Sequence, residues 1–436
     1  MSETSLFAVA GSPVLHSLSP RIFTFLFNKC GINAVYLRFS ESRGDRILES
    51  ARSLGLKGLN ITTPAKSDIL PCLDELSKEG EIIQAVNVVT VGEKGRLTGH
   101  NTDWMGVVSS LRAAGVNPAS KKAVVLGAGG AGRAAAYGLL KSGAAGVVLI
   151  NRTEEKGKSA ADRLGAEYRA MASLSRSLAE ADILVSCVTG SEALVSPEWL
   201  HKDLTLLEAD YRCSPLSRLA LEKGCRIIGG KDWLIWQALP SFRLLTGVKP
   251  PECVHSISCF IGEKPPQKSA VSLIGFMGSG KTTVGKHLAG LLSRPFIDSD
   301  RVIEDEYRTS VEEIFSVRGE KHFRKIEGSV ISNLLPGAGK SVLALGGGVV
   351  LEAGNRDLIR RHTTAVWLWS SLRNFKKEDY PGRPLLKAKF PEKKIESLLK
   401  GRIPLYARTC DLVLCTEPFE VEEIALRIKD EVDQTF

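Results

Sequence analysis

Short apolar runs alternate with stretches of helical periodicity along almost the whole chain. The runs are LFAVAG, AVYLRFS, GLNIT, AVVLGAG, GVVLINR and DILVSCV in the first part, and VSLIGF, SVLALGGG, AVWLWS and DLVLC in the second. Strands that are separated by helices form parallel sheets built from βαβ units. The pattern therefore predicts an α/β protein throughout, without internal repeats or low-complexity segments.

A polar segment with two adjacent prolines divides this pattern in two. Residues 262–269 read GEKPPQKS and precede a new apolar strand. Adjacent prolines favour an extended connector, and a chain of 436 residues is too long for one hydrophobic core. We therefore predict one unit over residues 1–265 and another over residues 266–436.

Composition narrows the class of protein. The chain is 43% hydrophobic and 25% charged, which is typical of globular proteins. No apolar run is long enough for a membrane span, and the first residues lack the basic start of a signal peptide. Nine cysteines without a CxxC pair favour reduced thiols in the cytoplasm. The net charge of +9 is dispersed, so we expect anionic small-molecule ligands and neither nucleic acid nor membrane.

A glycine-rich turn follows the strand AVVL and precedes a helical stretch. Gly127, Gly129 and Gly132 satisfy the GxGxxG pattern. Such glycines permit a tight turn, close approach of a pyrophosphate and close packing of helix on strand, while the helix N-terminus attracts negative charge. The residues assigned to dinucleotide binding are Gly127, Gly129, Gly130, Ala131 and Gly132.

The residues after the next strand decide between the two nicotinamide cofactors. NAD-binding domains usually place a carboxylate there for the ribose 2′-hydroxyl. This chain instead has Asn151, Arg152 and Thr153, with Lys156 one helical turn later. Cations and hydroxyls bind a 2′-phosphate, whereas a carboxylate would repel it. The sequence therefore predicts NADP(H) rather than NAD.

Four polar clusters flank this nucleotide segment. They are GSPVLHSLSP from residue 11, GLNITTPAK from residue 58, AVN from residue 85 and GHNTD from residue 99. With the glycine motif, and in this order, they resemble the shikimate dehydrogenase family over about residues 5–260. The resemblance implies a substrate domain of about residues 1–105 plus 238–262, and a Rossmann NADP domain of about residues 106–237.

The same resemblance implies roles for individual side chains. Ser17 and Ser19 would bind the shikimate carboxylate through their hydroxyls, and we expect His16 to shape their loop, with a direct proton role as the less favoured alternative. The residues that would contact the rest of the substrate are Asn60, Thr62, Asn87, Asp103, Tyr211 and Gln237.

Ketone reduction by hydride transfer requires a proton for the developing alkoxide and positive charge close to it. A lysine held against a carboxylate provides both. We therefore predict that Lys66 and Asp103 are the catalytic pair, and the sequence leaves open which of them is the formal proton donor.

A phosphate-binding loop opens the second unit. Residues 275–282, GFMGSGKT, match GxxxxGK[ST] after an apolar strand. Backbone N–H groups of such a loop cradle phosphates, Lys281 reaches the β- and γ-phosphates, and the Thr282 hydroxyl ligates Mg²⁺. The sequence thus predicts ATP and Mg²⁺, and the other nucleotide-binding residues assigned here are Gly278, Ser279, Gly280 and Thr283.

Further motifs suggest the phosphoryl acceptor. FIDSD, GEKHFRKIE, LGGG, GRPLL and RIPLY follow in order from residues 296, 319, 345, 382 and 402. Together they resemble the shikimate kinase family over about residues 270–432. The resemblance implies a parallel sheet of the kind found in nucleoside monophosphate kinases, and a lid at about residues 372–390.

This resemblance also implies roles. Asp300 would hold the acceptor hydroxyls and act as the base, while Asp298 would support Mg²⁺ through water. Arg324 and Arg402 would clamp the shikimate carboxylate, because paired guanidiniums bind a planar anion bidentately. Purely structural roles stay open: the two aspartates could form a helix N-cap region, and Arg324 could pair with Glu327 on one helix face.

Two further elements complete this set. The turn formed by Gly346, Gly347 and Gly348 would let the backbone approach the acceptor closely. Arg383, on the expected lid, would neutralise charge on the transferring phosphoryl group.

The sequence therefore predicts a bifunctional enzyme of the shikimate pathway, which leads to chorismate and the aromatic amino acids. It would reduce 3-dehydroshikimate to shikimate and then phosphorylate shikimate. One alternative is a quinate or shikimate dehydrogenase that uses NAD, fused to a gluconate-type sugar-acid kinase; Arg152 and the Arg324–Arg402 pair argue against it. A ligand sensor with decayed sites would lack some of the four residues that are all present here, Lys66, Asp103, Lys281 and Asp300.

Overall fold

A computed structural model describes residues 4–188, 190–211, 214–263, 267–370 and 391–433. Helices and strands alternate through all of these ranges. Within them, no helix combines the length and the apolar character that crossing a lipid bilayer demands.

The first group of elements, here called the substrate unit, contains six strands and five α-helices in the described residues before residue 114. The strands are β1 (Ser5–Gly11), β2 (Ala34–Ser40), β3 (Gly58–Ile61), β4 (Glu75–Leu76), β5 (Val88–Val91) and β6 (Leu97–His100). The helices are α1 (Ser19–Cys30), α2 (Gly44–Leu54), α3 (Ala65–Asp68), α4 (Lys78–Ile83) and α5 (Asp103–Ala113).

The second group, the Rossmann unit, follows at once. Its strands are β7 (Lys122–Leu126), β8 (Gly146–Ile150), β9 (Glu167–Arg169), β10 (Ile183–Ser186), β11 (Thr205–Glu208) and β12 (Arg226–Ile228). Its helices are α6 (Gly130–Lys141), α7 (Glu154–Leu164), α8 (Leu174–Ala179) and α9 (Pro215–Glu222). All pairs are parallel in the order β12-β11-β10-β7-β8-β9, which is the doubly wound arrangement of dinucleotide-binding folds.

Two helices return the chain from the Rossmann unit to the substrate unit, α10 (Gly230–Thr246) and α11 (Val254–Gly262). The remaining elements form the P-loop unit. Its strands are β13 (Ala270–Ile274), β14 (Phe296–Asp298), β15 (Val342–Ala344), β16 (Thr363–Trp369) and β17 (Leu412–Cys415). Its helices are α12 (Lys281–Leu292), α13 (Ser299–Tyr307), α14 (Val311–Leu334), α15 (Ala353–His362), α16 (Pro391–Thr409) and α17 (Val421–Asp433).

The substrate unit and the P-loop unit share one continuous sheet. Strand β17 pairs in parallel with β2, with Val413 opposite Phe39 and Leu414 opposite Ser40. In the described part of the chain this makes an eleven-stranded sheet in the order β14-β15-β13-β16-β17-β2-β1-β3-β5-β6-β4. A connector at residues 262–269 suggested two separate sheets. They join instead, and the junction pairs the backbone groups of two strands that would otherwise be edge strands.

The hydrophobic core is continuous across this junction. Successive β1 side chains point to opposite faces of the sheet. On one face Ala8 and Ala10 belong to the same buried cluster as Ile274 of β13. On the other face Val9 belongs to the same cluster as Leu273. The two units are therefore packed as one body around a common sheet.

Strand direction places both sets of functional loops at one edge of this sheet. All pairs from β14 through to β3 are parallel, so the carboxyl ends of these strands lie together, where α/β sheets bind their ligands. Strand β5 is an exception to the parallel pairing predicted for βαβ units, since it is antiparallel to both β3 and β6. Only the short turn of residues 92–96 joins β5 to β6, and a parallel pair would need a long crossover.

Candidate active sites

A cavity of about 210 Å³ lies against the substrate unit, the Rossmann unit and α10. Every residue assigned from sequence to the dehydrogenase substrate and its proton chemistry lines this cavity. They are Ser17, Ser19, Asn60, Thr62, Lys66, Asn87, Asp103, Tyr211 and Gln237. They come from the segment after β1, from β3 and the residues after it, from the residue before β5, from the start of α5, from the loop after β11 and from α10.

Lys66 and Asp103 form an ion pair in this cavity. The distance from Lys66 Nζ to Asp103 Oδ2 is 2.5 Å, and the side chains are 17% and 8% exposed. The other carboxylate oxygen accepts a hydrogen bond from Asn87 Nδ2 at 2.8 Å. The indole N–H of Trp233 donates to the backbone carbonyl of Asp103 at 2.9 Å. The carboxylate is therefore fixed on both sides and holds the ammonium at the cavity.

Buried amides continue this network around the cavity. Tyr36 donates to Asn60 Oδ1 at 2.5 Å, and Asn60 Nδ2 donates to Ser241 Oγ at 2.7 Å. Asn87 Nδ2 also donates to Gln237 Oε1 at 3.0 Å. Burial raises the pKa of the Tyr36 phenol well above its usual value, so this hydroxyl stays protonated and keeps donating. Because the amides are held by one another, they can present fixed donors and acceptors to a polyhydroxylated ring.

The loop that carries Ser17 and Ser19 is held through its backbone. Arg38 donates to the Ser17 carbonyl from Nε at 3.1 Å and from Nη2 at 2.8 Å. The Tyr211 hydroxyl donates to the His16 carbonyl at 3.3 Å. His16 thus takes part in the loop's backbone contacts, while its proposed loop-shaping role stays a prediction.

The glycine-rich turn has the geometry that a dinucleotide requires. Gly127 has φ +103°, a conformation that favours glycine. A Cβ on Gly132 would overlap the carbonyl of Gly127, whereas a Cβ on Gly129 would meet open space among the described atoms. A Cβ on Gly130 would lie 3.3 Å from the Lys66 side chain. A cofactor at this turn would therefore lie beside the Lys66–Asp103 pair.

The turn after β8 suits a 2′-phosphate. Asn151 Oδ1 accepts from the backbone N–H of Ala128 at 3.1 Å, and Asn151 Nδ2 donates to the Thr153 carbonyl at 2.8 Å. Arg152, Thr153 and Lys156 are exposed beside it. Asn151 therefore ties this turn to the glycine-rich turn and leaves two cations available for a phosphate.

The P-loop lies between β13 and α12. Gly278 and Gly280 have φ +79° and +80°. Lys281 Nζ donates to the carbonyls of Gly275 at 3.1 Å and Phe276 at 2.9 Å, within the loop itself. In the described residues, the buried hydroxyl of Ser279 has no hydrogen-bond partner, as expected of a group that a bound phosphate would satisfy.

A hydroxyl and a carboxylate meet at the start of α12. Thr282 Oγ1 donates to Asp298 Oδ2 at 2.8 Å, and both are oxygen ligands of the type that Mg²⁺ prefers. Asp298 also accepts from the backbone N–H of Asp300 at 3.1 Å, so it caps α13 as well. Thr283 is exposed on the first turn of α12. The residues present fit a nucleotide with its metal ion.

The glycine turn after β15 packs tightly on the expected acceptor residues. A Cβ on Gly346 would lie 2.7 Å from Glu327 Oε1 and 2.9 Å from Asp300 Oδ1. A Cβ on Gly348 would overlap the guanidinium of Arg324. Side chains at these positions would displace the charged groups, so glycine lets the turn approach them closely.

Two arginines flank this turn, in different environments. Arg324 Nη1 donates to Glu327 Oε2 at 2.7 Å, so the pairing along α14 that was the structural alternative is present. Burial raises the pKa of Glu327, while Arg324 opposes that rise. Arg402 is 5% exposed and donates to the Gly347 carbonyl at 3.3 Å. The buried Nε of Arg324 has no partner among the described residues, so Arg324 keeps a donor for a ligand.

Known families match three segments of the chain. The model described as shikimate dehydrogenase substrate binding domain matches residues 9–89. The one described as shikimate / quinate 5-dehydrogenase matches residues 111–208, and the one described as shikimate kinase matches residues 277–433.

Whole proteins give the same result for the first two units. A protein of Thermococcus kodakarensis named shikimate dehydrogenase (NADP(+)) is 39% identical over 264 residues, which cover 58% of this chain and 94% of the relative. The Moorella thermoacetica protein of the same name is 37% identical, and the match covers 58% of this chain and 92% of that relative. The chain belongs to the shikimate dehydrogenase family, and it carries a shikimate kinase domain.

Solved structures of shikimate dehydrogenases superpose on the same part. The Aquifex aeolicus structure has a TM-score of 0.55 at 34% identity and covers 59% of this chain and 99% of that one. The Thermus thermophilus structure, in complex with NADP(H) and shikimate, has a TM-score of 0.53 at 32% identity, with 59% and 98% covered. The family resemblance and the α/β fold class predicted from sequence are confirmed.

Some residues of the dehydrogenase cavity escaped the sequence reasoning. Trp233 and Ser241 hydrogen-bond to site residues and lie four positions to either side of Gln237 on α10. That spacing puts all three on one helix face, and it could have identified them. Tyr36 lies in a strand with no motif, so only the structure reveals its contact with Asn60.

The shikimate kinase domain adds Glu327 to the site. Sequence reasoning had considered this residue only as a helix partner of Arg324. The structure also places it against the glycine turn, with Asp300 close enough to influence its pKa. The predicted lid at residues 372–390, with Arg383, lies outside the described residues.

Proposed function

We propose that this chain catalyses two consecutive reactions on one small cyclic carboxylate. The first is the NADPH-dependent reduction of 3-dehydroshikimate to shikimate, and the second is the ATP- and Mg²⁺-dependent phosphorylation of shikimate to shikimate 3-phosphate. The observation that carries the proposal is the Lys66–Asp103 pair, in a cavity lined by every residue assigned from sequence to the dehydrogenase substrate and its proton chemistry. A P-loop unit with its own acceptor residues follows in the same chain.

In the first reaction, Ser17 and Ser19 would bind the substrate carboxylate, and the buried amides would orient the ring hydroxyls. NADPH, when bound at the glycine-rich turn, supplies the hydride. The ammonium of Lys66 would lie at the oxygen that becomes an alkoxide, and the Lys66–Asp103 pair would deliver its proton. Asn87 keeps Asp103 oriented, since it donates to the carboxylate oxygen that Lys66 leaves free.

In the second reaction, Arg324 and Arg402 would bind the shikimate carboxylate, and Asp300 would accept the proton of the attacking hydroxyl. ATP, when bound with Mg²⁺, supplies the phosphoryl group. Lys281 would turn from the carbonyls it now contacts to the phosphates. Arg383 would neutralise charge on the transferring group, as the kinase motifs imply.

The shared sheet supports two consecutive reactions, because it brings the loops of the two proposed sites close together. The loops after β1 and β3 and the P-loop after β13 lie at the same edge of one sheet. Strands β1 and β13 are four strand spacings apart in that sheet, which is about 20 Å at roughly 4.8 Å per spacing. Shikimate released from the first site would therefore start close to the second, and tethering raises its local concentration.

A coupled assay tests both halves. Purified full-length chain with 3-dehydroshikimate, NADPH, ATP and Mg²⁺ is expected to oxidise NADPH and to yield shikimate 3-phosphate, detected by mass spectrometry. Excess EDTA is expected to stop phosphorylation and to leave shikimate as the product, because Mg²⁺ is proposed only at the Thr282–Asp298 site. Absence of NADPH oxidation would refute the dehydrogenase assignment, and absence of ATP consumption with shikimate the kinase assignment.

Arg152 is proposed to select NADP over NAD. Replacing Arg152 with aspartate is expected to raise the KM for NADPH by about 10- to 100-fold, because a charge-assisted contact with the 2′-phosphate becomes a repulsion. The KM for NADH is expected to change little or to fall. Arg163→Ala, an exposed arginine on α7, is the matched control. Equal changes for both cofactors would show that Arg152 does not read the 2′-phosphate.

Two coarser expectations accompany this proposal. The unit boundary near residue 265 is supported by the end of α11 at Gly262 and the start of β13 at Ala270. A reducing, cytoplasmic location is supported by the free thiol state of each cysteine that the structure describes.

A further inference from the structure

The last helix of the P-loop unit contacts the substrate loop of the dehydrogenase. Glu431, on α17, accepts hydrogen bonds at Oε2 from the backbone N–H groups of Val14 and Leu15, both at 2.8 Å. Glu431 is 1% exposed. Hydrogen bonds from backbone N–H groups to a carboxylate are among the stronger ones in proteins. A residue of the kinase domain thus holds the loop between β1 and α1.

This contact leads directly to a substrate-binding residue. The backbone N–H of Ser17 donates to the carbonyl of Val14 at 2.9 Å, so residues 14–17 form a turn. Glu431 contacts the first two residues of this turn. The carbonyl of Ser17 is held from the other side by Arg38. Ser17 therefore lies in a turn whose position depends on two charged side chains, neither of which lines the cavity.

Arg38 also depends on the P-loop unit. Its Nη1 donates to the backbone carbonyl of Asp411 at 3.4 Å. Burial lowers the pKa of Arg38, and the negative charges of Asp411 and Glu431 oppose that shift. Asp411 is itself held by Lys268 at 2.8 Å. The P-loop unit thus gives Arg38 a second hydrogen-bond acceptor. It also supplies part of the negative charge that balances the Arg38 guanidinium.

We infer that Glu431 is a positioning residue of the dehydrogenase reaction, through which the kinase domain holds the Val14–Ser17 turn in its substrate-binding position. The inference rests on the proposed function, because it takes Ser17 as a ligand of the shikimate carboxylate. It assigns the kinase domain a second task, as the support of its neighbour's substrate loop. Glu431 would affect binding of the carboxylate more than the transfer of hydride.

Shikimate is proposed as a ligand of both sites, so one molecule can report on each. In the full-length chain, Glu431→Ala is expected to raise the KM for shikimate in NADP⁺-dependent oxidation by about tenfold, since two charge-assisted bonds to the turn are lost. The kcat of that oxidation should change less than the KM. The KM for shikimate in the kinase reaction should stay the same.

Two further variants separate positioning from general destabilisation. Glu431→Gln keeps an oxygen that can accept both N–H groups, so it is expected to restore most of the lost affinity. Glu423→Ala, an exposed glutamate on the same helix, should leave both reactions unchanged. Hydrogen exchange of residues 11–19, followed by mass spectrometry, should be faster in Glu431→Ala while α12 keeps its protection.

The outcomes are distinguishable. If wild-type protein oxidises no shikimate, the proposed function fails. If wild type is active and Glu431→Ala keeps its KM and its exchange pattern, the inference fails. Parallel loss of both activities with exchange raised throughout the P-loop unit would likewise overturn it. Should Glu431→Ala prove insoluble, Glu431→Asp, which is one methylene too short for the turn, replaces it with the same expected split.

Discussion

Replacing Lys66 with methionine is expected to lower kcat for shikimate oxidation and for 3-dehydroshikimate reduction by about 10³-fold, within the range that general acid–base groups contribute. Methionine keeps most of the length of the side chain and removes the ammonium with its charge and protons. Asp103 keeps its contacts with Asn87 and Trp233, so the cavity should retain its shape. The loss should appear in kcat, measured by NADPH absorbance, with a smaller change in the KM for shikimate.

The kinase activity of the same preparation is the first control for this variant, and it is expected to be unchanged. Lys57→Met is the second, because Lys57 is exposed just before β3 whereas Lys66 follows it. Retention of more than about a tenth of kcat in Lys66→Met would contradict a proton-transfer role, since such roles contribute at least about 10²-fold.

Replacing Lys281 with methionine is expected to have the complementary effect. Lys281 is the P-loop cation proposed to contact the transferring phosphoryl group, and loss of one such electrostatic contact typically costs about 10²- to 10³-fold in kcat. ATP turnover with shikimate should fall by that factor, while NADPH oxidation with 3-dehydroshikimate should not change. A coupled pyruvate kinase–lactate dehydrogenase assay, which detects ADP, would measure the ATP turnover.

Lys286→Met is the matched control, because Lys286 is exposed on the same helix. In the wild type Lys281 donates to two loop carbonyls, so the variant could shift the loop as well. Thermal unfolding of variant and control would reveal such a shift. If Lys281→Met abolished both activities while the chain stayed folded, the two sites would not be chemically independent.

The sequence offers candidate site residues mainly where the chemistry is local. The GxGxxG turn and the P-loop each lie in a short segment whose backbone conformation depends mainly on its own glycines, such as Gly127 and Gly280. The Lys66–Asp103 pair was also predicted, because each residue lies in a motif of a recognised family. Their roles as catalytic groups stay predictions that the variants above test.

Contacts between distant segments could not be predicted in the same way. Glu431 and Val14 are 417 positions apart, and no sequence motif connects the two positions. A carboxylate on an amphipathic helix such as α17 is usually solvated, whereas Glu431 is 1% exposed and contacts the substrate unit. The pairing of β2 with β17 was hidden for the same reason, since an apolar strand does not encode its neighbour.

The strand pairing between β2 and β17 also has a consequence for synthesis of the chain. During translation β2 leaves the ribosome long before β17 does, because residues 41–411 separate the two strands. Until then β2 remains an edge strand with free backbone groups, the kind of edge that recruits other strands and promotes aggregation. Expression of the first part alone would make that exposure permanent. The order of the two enzymes along the chain therefore determines how long β2 of the nascent dehydrogenase remains an unpaired edge strand.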